Sequence, residues 1–284
     1  MMYAEVPWLW AGLAAYAIAT YYAFQGVVRY RDAATGFINN VATEAGEKRV
    51  LFFIVSGVAL LTVCLTIRWL RIGHGPFVDL FELLISQLWS LGLIYAVTYW
   101  RFPVLRPTAV IVLPMLWVLG GWVLSLNVSS VPNPPTYMND WKWAHVGFGK
   151  FFLAFCLIGT GLAGIVFARM HVYFSRFFQF MPSDKILDNY AWRFMLLALV
   201  FESLMLIAGA VWAQDAWGRY WAWDALETSA FLNWLVLGAA IHARFTYGVS
   251  IRTGAIAIVL IFVFAFFTYF GTPFYSEAAH KGVI

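Results

Sequence analysis

Residues 212–224 read W-A-Q-D-A-W-G-R-Y-W-A-W-D and lie between two long apolar runs. Four of these thirteen residues are tryptophan, and the segment also contains a tyrosine and two aspartates. Tryptophan is favoured at membrane interfaces because its ring is apolar while its N–H needs a polar partner. The segment is therefore predicted to be a loop at a membrane surface, with an apolar membrane-spanning helix on each side.

The aromatic content of this segment exceeds the needs of an interfacial belt, for which one or two rings at each helix end are enough. Gly218 allows the backbone to turn or to approach a ligand closely. The flat faces of Trp217, Trp221 and Trp223 are then available to contact one large planar molecule. A porphyrin is the candidate that this arrangement indicates.

The composition is that of an integral membrane protein. Of the 284 residues, 63% are hydrophobic and only 11% are charged, and the mean hydropathy of +0.77 is far above that of soluble globular proteins. The net charge of +4 is attributed to Lys and Arg in cytoplasmic loops, and no nucleic-acid partner is indicated. Cys64 and Cys156 lie alone inside apolar runs and are interpreted as small buried residues without a redox role.

About 20 apolar residues are needed for a helix to cross roughly 30 Å of hydrocarbon. By that measure the sequence predicts an all-α, polytopic membrane helical bundle with about eight transmembrane helices. Their approximate bounds are 7–28, 50–70, 79–100, 108–127, 145–169, 192–213, 225–247 and 253–272. Because the loops between them are short, residues 1–284 are expected to form a single membrane domain surrounded by lipid.

Basic residues predict the orientation of these helices, because short cytoplasmic loops are enriched in Lys and Arg. Twelve of the 18 Lys and Arg residues lie beside one set of loops, and the other six lie beside the opposite set. Both termini are therefore expected on the outer side of the membrane. The tryptophan-rich segment 212–224 is expected on that side as well.

Two histidines share the outer side with the tryptophan-rich segment. His145 opens the fifth predicted span, and His280 follows the eighth. Imidazole is a common iron ligand, and two imidazoles on opposite faces of a porphyrin complete a six-coordinate haem. The two side chains are therefore candidate axial ligands. The alternative is that each is an ordinary interfacial histidine.

Two ionisable residues lie inside predicted spans, where such residues are rare and usually functional. His242 is placed near the cytoplasmic leaflet, and its alternative interpretation is a neutral imidazole hydrogen-bonded to a neighbouring helix. Glu202 lies near the middle of the sixth span, and the sequence names no partner for it. Asp224 and Glu227 have a structural alternative, which is to complement the N-terminus of the seventh spanning helix.

The tryptophan-rich segment resembles a known family signature. The pattern W-G-x-x-W-x-W-D at residues 217–224, preceded by G-x-x-W-A at residues 209–213, is similar to the WWD signature of the haem-handling CcsA, CcmC and CcmF families. The H-G-P motif at residues 74–76 followed by Glu82, the H-A-R motif at residues 242–244 and the segment 271–280 resemble further CcsA motifs. Motif order and the eight-span layout favour the CcsA family, also called ResC.

This resemblance implies a role in cytochrome c biogenesis. It implies one half of the system II holocytochrome c synthase, a haem lyase that delivers haem across the membrane and presents it for thioether attachment to the C-x-x-C-H segment of apocytochrome c. Haem b would be bound as the substrate. The other half would be a separate membrane subunit like CcsB (ResB). A bacterial inner membrane is favoured as the location, with a thylakoid membrane as the alternative.

The resemblance also implies roles for individual residues. His145 and His280 would be the outer axial ligands of the haem iron. His242 would be one ligand of an inner haem, whose second histidine comes from the CcsB-like partner. The segment 212–224 would hold the haem through Trp212, Trp217, Gly218, Trp221, Trp223 and Asp224. The chain departs from the family pattern at two places. Ala243 stands where the family has threonine, and Lys281 and Gly282 stand where the family has Ser-Tyr.

Two other functions remain compatible with these residues. A haem transporter without ligase activity differs only in whether the thioether bond forms. A b-type electron-transfer protein would also use paired histidines, but such pairs normally lie at matching depth on facing spans, and only His242 lies well inside one.

Overall fold

The computed structural model describes residues 3–34, 40–128, 131–179 and 181–274. Within these ranges the chain is all-helical, and no β-strand occurs in them, which confirms the predicted fold class. The α-helices are α1 (Val6–Ala34), α2 (Asn40–Ile72), α3 (Leu80–Arg101), α4 (Ala109–Ser125), α5 (Asp140–Arg169), α6 (Val172–Phe177), α7 (Asp184–Trp217), α8 (Ala225–Tyr247) and α9 (Ile251–Phe266). Short 3-10 helices span Pro103–Thr108, Pro135–Tyr137 and Thr272–Phe274, and α9 continues into a π-helical segment, Phe267–Gly271.

Each of the eight predicted spans coincides with one long helix, and α6 is the short exception at six residues. Six segments of the described chain are long and apolar enough to cross a membrane, so the chain is an integral membrane protein. Helices α1 and α8 fall outside those six. Their composition explains this, because α1 is rich in tyrosine and tryptophan and α8 carries polar residues such as Glu227, Asn233 and His242.

Arg68, near the end of α2, pairs with Glu5 at the start of α1, and Arg244, near the end of α8, pairs with Asp188 near the start of α7. These neighbouring helices therefore run in opposite directions, and the bundle has two ends. At one end, ion pairs join Arg106 to Glu47, Arg169 to Asp184 and Arg244 to Asp188. These three arginines lie in or beside the loops that the charge pattern predicts to be cytoplasmic. The opposite end therefore contains the start of α1, the turn from α2 to α3, the start of α5 and the segment 212–224, and it is called the outer end below.

A buried ionic cluster ties three helices together at the outer end. The Arg68 guanidinium of α2 donates to Glu82 of α3 at 2.7 Å, to Asp79 at 3.1 Å and to Glu5, just before α1, at 3.4 Å. The Arg68 and Glu82 side chains are fully buried. Asp79 also caps α3 by accepting from the Glu82 backbone N–H at 2.7 Å. Burial raises the pKa of the Asp79 carboxyl, and that backbone hydrogen bond opposes the rise in part.

Helix α5 lies at the centre of the bundle, since it packs against α3, α4, α7 and α9. Close packing with α7 depends on small residues, as is usual between membrane helices. At Gly159, an added Cβ would lie only 2.9 Å from the Met195 sulfur. Cys64 and Cys156 are buried free thiols, as predicted. The helix that carries His145 is therefore held from several sides.

Candidate functional site

The segment 212–224 turns the chain from α7 into α8. Helix α7 ends at Trp217, and Gly218 takes the left-handed conformation at φ 72° and ψ 18° that ends many helices. Asp224 begins α8 by accepting from the Glu227 backbone N–H at 2.9 Å, and Glu227 reaches back to accept from the Ala222 backbone N–H at 2.6 Å. This reciprocal pair resembles a capping box and fixes the last residues of the segment.

Trp223 adopts an unusual conformation within this segment. It is the one non-glycine residue of the described chain with a positive φ, at 60°, and its side chain is 67% exposed. A left-handed conformation costs a bulky residue about 1–3 kcal/mol and is found most often at functional sites. The capping pair at Asp224 holds the residue there. Its ring meets Trp221 edge to face at a centroid distance of 5.7 Å.

A cavity opens beside this segment at the outer end of the bundle. The volume of this cavity is about 220 Å³. Its wall comes from α3, α5, α7, the α7–α8 turn, the start of α8 and the π-helical segment. The cavity is lined by His145, Trp212, Trp217 and Trp221 among the predicted site residues. Gly218, Trp223 and Asp224 do not line it; Gly218 and Asp224 shape the turn, while Trp223 faces outward.

His145 lies on the second turn of α5 with its ring orientation fixed. Its Nδ1 lies 2.9 Å from the Met205 carbonyl oxygen of α7. Because a carbonyl only accepts, Nδ1 carries the proton, and Nε2 is the nitrogen with the lone pair that can bind a metal. Gly209 makes this position possible, since a Cβ there would lie 2.6 Å from Nδ1. The imidazole is therefore set for ligation by its neighbours on α7.

Trp212 connects the histidine to the surrounding aromatic residues. Its ring centroid lies 5.6 Å from that of His145 and 5.2 Å from that of Trp217. Its indole N–H donates to the Thr136 carbonyl oxygen at 2.8 Å, and this hydrogen bond holds the loop before α5 against α7. The buried indole thus has a partner of its own, and it supports His145 from the side.

The cavity wall also carries polar groups that sequence reasoning missed. Lys142 and Lys150 of α5 and Gln87 of α3 line it, and Lys142 is only 3% exposed. One signal was available: Lys142, Val146 and Lys150 are spaced by four, so they form one row along a helix. Lysine well inside an apolar span is itself a functional indicator.

The other predicted ligands lie apart from this cavity or outside the described residues. His242 is exposed on α8, 17 residues beyond the start of that helix at Ala225. Its contacts in the described chain are with its own helix, at Thr246 and Tyr247. Neither of these contacts joins His242 to a neighbouring helix, and its role as an iron ligand stays a prediction. His280 lies outside the described residues.

Glu202 and the motif residue His74 both have hydrogen-bond partners in the structure. Asn233 of α8 donates to the Glu202 carboxyl of α7 at 2.7 Å, which gives that buried acid a partner in the membrane. His74 bridges two outer loops, with Nε2 at 3.1 Å from the Val131 carbonyl oxygen and Nδ1 at 3.0 Å from that of Gly75. Neither residue lines the cavity.

Comparison with known proteins gives a consistent family assignment. The family described as Cytochrome C assembly protein matches residues 77–280. A "Cytochrome c biogenesis protein CcsA" of Nicotiana tomentosiformis is 27% identical over 273 residues, which cover 84% of this chain and 85% of that protein. A protein of the same name from Guillardia theta is 29% identical over 245 residues, covering 78% of this chain and 81% of the relative.

A solved structure shares the fold. The protein titled "Cytochrome c Heme Lyase CcmF" superposes with a TM-score of 0.60 at 17% sequence identity. The match covers 96% of this chain and 48% of that protein, so the chain spans about half its length. At this identity the likeness supports the helical arrangement alone.

Proposed function

The chain belongs to the cytochrome c assembly protein family, and from that premise we propose that it binds haem in the outer-end cavity and presents it to apocytochrome c. The chain would act as one subunit of a holocytochrome c synthase in a bacterial inner membrane, with a thylakoid membrane as the alternative. Haem b is the substrate in this proposal, and the CcsB-like subunit is the partner.

The observation that carries this proposal is the position of His145 in the wall of an aromatic cavity. Its Nδ1 lies 2.9 Å from the Met205 carbonyl oxygen, so Nε2 is the ring nitrogen that would bind iron. Trp212, Trp217 and Trp221 line the same space and supply the apolar surface that a porphyrin requires. The indole N–H of Trp221 is buried without a hydrogen-bond partner among the described residues, as expected where a polar ligand is absent.

The role of the chain in the reaction is positioning. His145 and, in the proposal, His280 hold the iron, and the tryptophan rings hold the porphyrin and exclude water. Each cysteine thiol of a C-x-x-C-H segment then adds across a vinyl group, its sulfur bonding to one vinyl carbon and its proton going to the other. Holding two reactants in register can supply a large part of the rate acceleration.

Helix α8 offers a surface for the proposed partner subunit. Only Asn233, Leu237 and Ile241 of this helix are buried in the described chain. His242 lies on the exposed part of α8, where contact with lipid would be unfavourable for an imidazole. A CcsB-like subunit that covers this face and contributes a second histidine would complete an inner haem site.

Covalent attachment is the direct test of this function. A C-x-x-C-H cytochrome is co-expressed with the chain and a CcsB-like subunit, and haem staining of denatured protein measures the thioether product. We expect a haem-stained cytochrome only when both membrane proteins are present. A client with both cysteines replaced by serine is the negative control. Haem bound by the chain without any stained client would favour the transporter alternative.

A substitution at Gly209 tests the position of His145. Gly209→Ala places a Cβ 2.6 Å from Nδ1, so the imidazole must move. Overpacking of this kind costs about 1–3 kcal/mol, and we expect haem affinity to fall by about tenfold. Absorption titration of the purified chain with haem measures this affinity. Gly147→Ala is the matched control on α5, because its added Cβ meets nothing within 4 Å. Equal loss in both variants would contradict the prediction.

A further inference from the structure

Two lysines line the outer-end cavity, and neither forms a salt bridge within the described residues. Glu227, the acidic residue of the cavity wall, accepts from the Ala222 backbone N–H instead. Lys142 and Lys150 lie on the α5 wall of the cavity, on either side of His145 in sequence. The ion pairs formed within the described residues involve other basic side chains. A buried cation is normally paired, because desolvation without a compensating anion costs several kcal/mol.

The contacts of both ammonium groups are with neutral side chains. The Lys142 nitrogen lies 5.1 Å from the Tyr137 ring centroid and 5.2 Å from that of Trp143. The Lys150 nitrogen donates to the Ser86 hydroxyl at 3.0 Å and lies 5.4 Å from the Phe77 ring centroid. These contacts orient the two ammonium groups. The Glu82 carboxylate, whose charge also acts on Lys142, forms its close ion pair with Arg68 at 2.7 Å.

A third donor lies on the same side of the cavity. Gln87 follows Ser86 on α3, is 6% exposed, and its amide nitrogen has no hydrogen-bond partner among the described residues. Buried amide groups of this kind are normally satisfied. Together Lys142, Lys150 and Gln87 form a group of donors that faces the cavity, which is called the cationic wall below.

We infer that the cationic wall binds the two propionate carboxylates of the haem and so fixes its rotation within the cavity. This inference rests on the proposed function. Two cations match two carboxylates, and hydrogen bonds between charged partners are about twice as strong as neutral ones. Lys142 and Lys150 are eight residues apart, or about 12 Å along the helix, and their long side chains can reach one edge of a porphyrin.

The orientation has a consequence for the reaction. Propionates and vinyl groups occupy opposite edges of haem b. With the propionates on the α3–α5 side, the vinyl edge is expected to face another part of the wall, which includes Trp217, Tyr220 and Trp221. That side contains the exposed turn between α7 and α8, where an apocytochrome segment can approach. The cationic wall thus determines that the vinyl edge of the haem is the edge presented to the apocytochrome.

The test compares haemin with haemin dimethyl ester, which has the same ring and vinyl groups but no carboxylates. Each is titrated into the purified full-length chain, and the absorption shift that His145→Ala removes is taken as specific binding. We expect the unsubstituted chain to prefer haemin by at least about tenfold, as loss of charge-assisted hydrogen bonds predicts. In the Lys142→Met, Lys150→Met double variant the two affinities should become nearly equal, through weaker binding of haemin alone.

Two further variants separate charge at the wall from other effects. Lys150→Arg keeps a cation and should retain the preference for haemin. Lys48→Met removes a lysine at the other end of the bundle, where it pairs with Glu44 at 2.7 Å, and it should leave both affinities unchanged. Circular dichroism confirms that each variant keeps its helical content.

A preference for haemin that survives the double substitution would overturn the inference and leave the proposed function intact. Equal affinity of the unsubstituted chain for haemin and for haemin dimethyl ester would also overturn the inference and leave the proposed function intact. It would point to another anion, such as a lipid phosphate, as the partner of the lysines. Absence of any His145-dependent shift with either pigment would contradict the proposed function itself. The three outcomes are therefore distinguishable.

Discussion

His145→Ala is expected to abolish holocytochrome formation and to remove the bis-imidazole absorption bands of haem bound at the outer end. Among the described histidines, His145 alone lines the cavity. Loss of a residue that only supports a metal ligand typically lowers affinity by about 10- to 100-fold, so loss of the ligand itself should exceed that range. Haem staining of a co-expressed cytochrome and the spectrum of the purified chain measure the two effects.

Exogenous imidazole distinguishes ligation from packing in this variant. Removal of the ring leaves space beside Gly209 and Trp212 that free imidazole can enter. If ligation is the only role of the residue, added imidazole should restore the bands and part of the activity. His280→Ala should behave in the same way, although that residue lies outside the described part of the chain. Full activity of both single variants would refute the outer haem site.

A histidine remote from the cavity provides the matched control. His171 is exposed at the start of α6, at the opposite end of the bundle, where its ring stacks on Tyr173 at 5.6 Å. His171→Ala should therefore retain the haem bands and full holocytochrome formation. Loss of function in this control would show that the effect of His145→Ala is not specific to the cavity.

The spans were predictable because each depends on a local apolar run. The bounds of the helices were less predictable, because side-chain caps extend the helices into polar sequence. Helix α5 begins at Asp140, five residues before the predicted span, because the Asn139 side chain accepts from the Trp141 backbone N–H at 2.7 Å. This extension places His145 on the second helical turn, where the carbonyl of Met205 can meet it.

Site residues could be predicted only where the residue type itself indicates the chemistry. Histidine and tryptophan are such residue types, so the sequence predicts His145, Trp212, Trp217 and Trp221 as site residues. In the structure these four side chains line one cavity. The partners of Glu202 and the grouping of Gln87 with Lys150 depend on contacts between residues far apart in sequence. The positive φ and the exposed side chain of Trp223 could not be predicted from its position in the motif.

The second large effect is expected at the buried ionic cluster. Arg68→Met should lower the free energy of unfolding by about 3–5 kcal/mol, because it leaves buried carboxylates without their cation. The Glu5 and Glu82 side chains are fully buried, and that of Asp79 is 6% exposed. Reversible denaturation of the detergent-solubilised chain, followed by circular dichroism, measures the change. Arg71→Met is the matched control, since Arg71 is 28% exposed and pairs with Glu5 at 2.5 Å.

The cause of this destabilisation can be separated from the loss of packing by a second substitution. If uncompensated charge dominates, Glu82→Gln combined with Arg68→Met should recover part of the lost stability, because contacting residues give non-additive effects. If lost packing dominates, the two changes should add. The outcome also bears on the cavity, since α3 carries both Glu82 and Gln87. A loosened α3 should weaken haem binding in Arg68→Met without moving the iron ligand, and recovery in the double variant should restore both properties together.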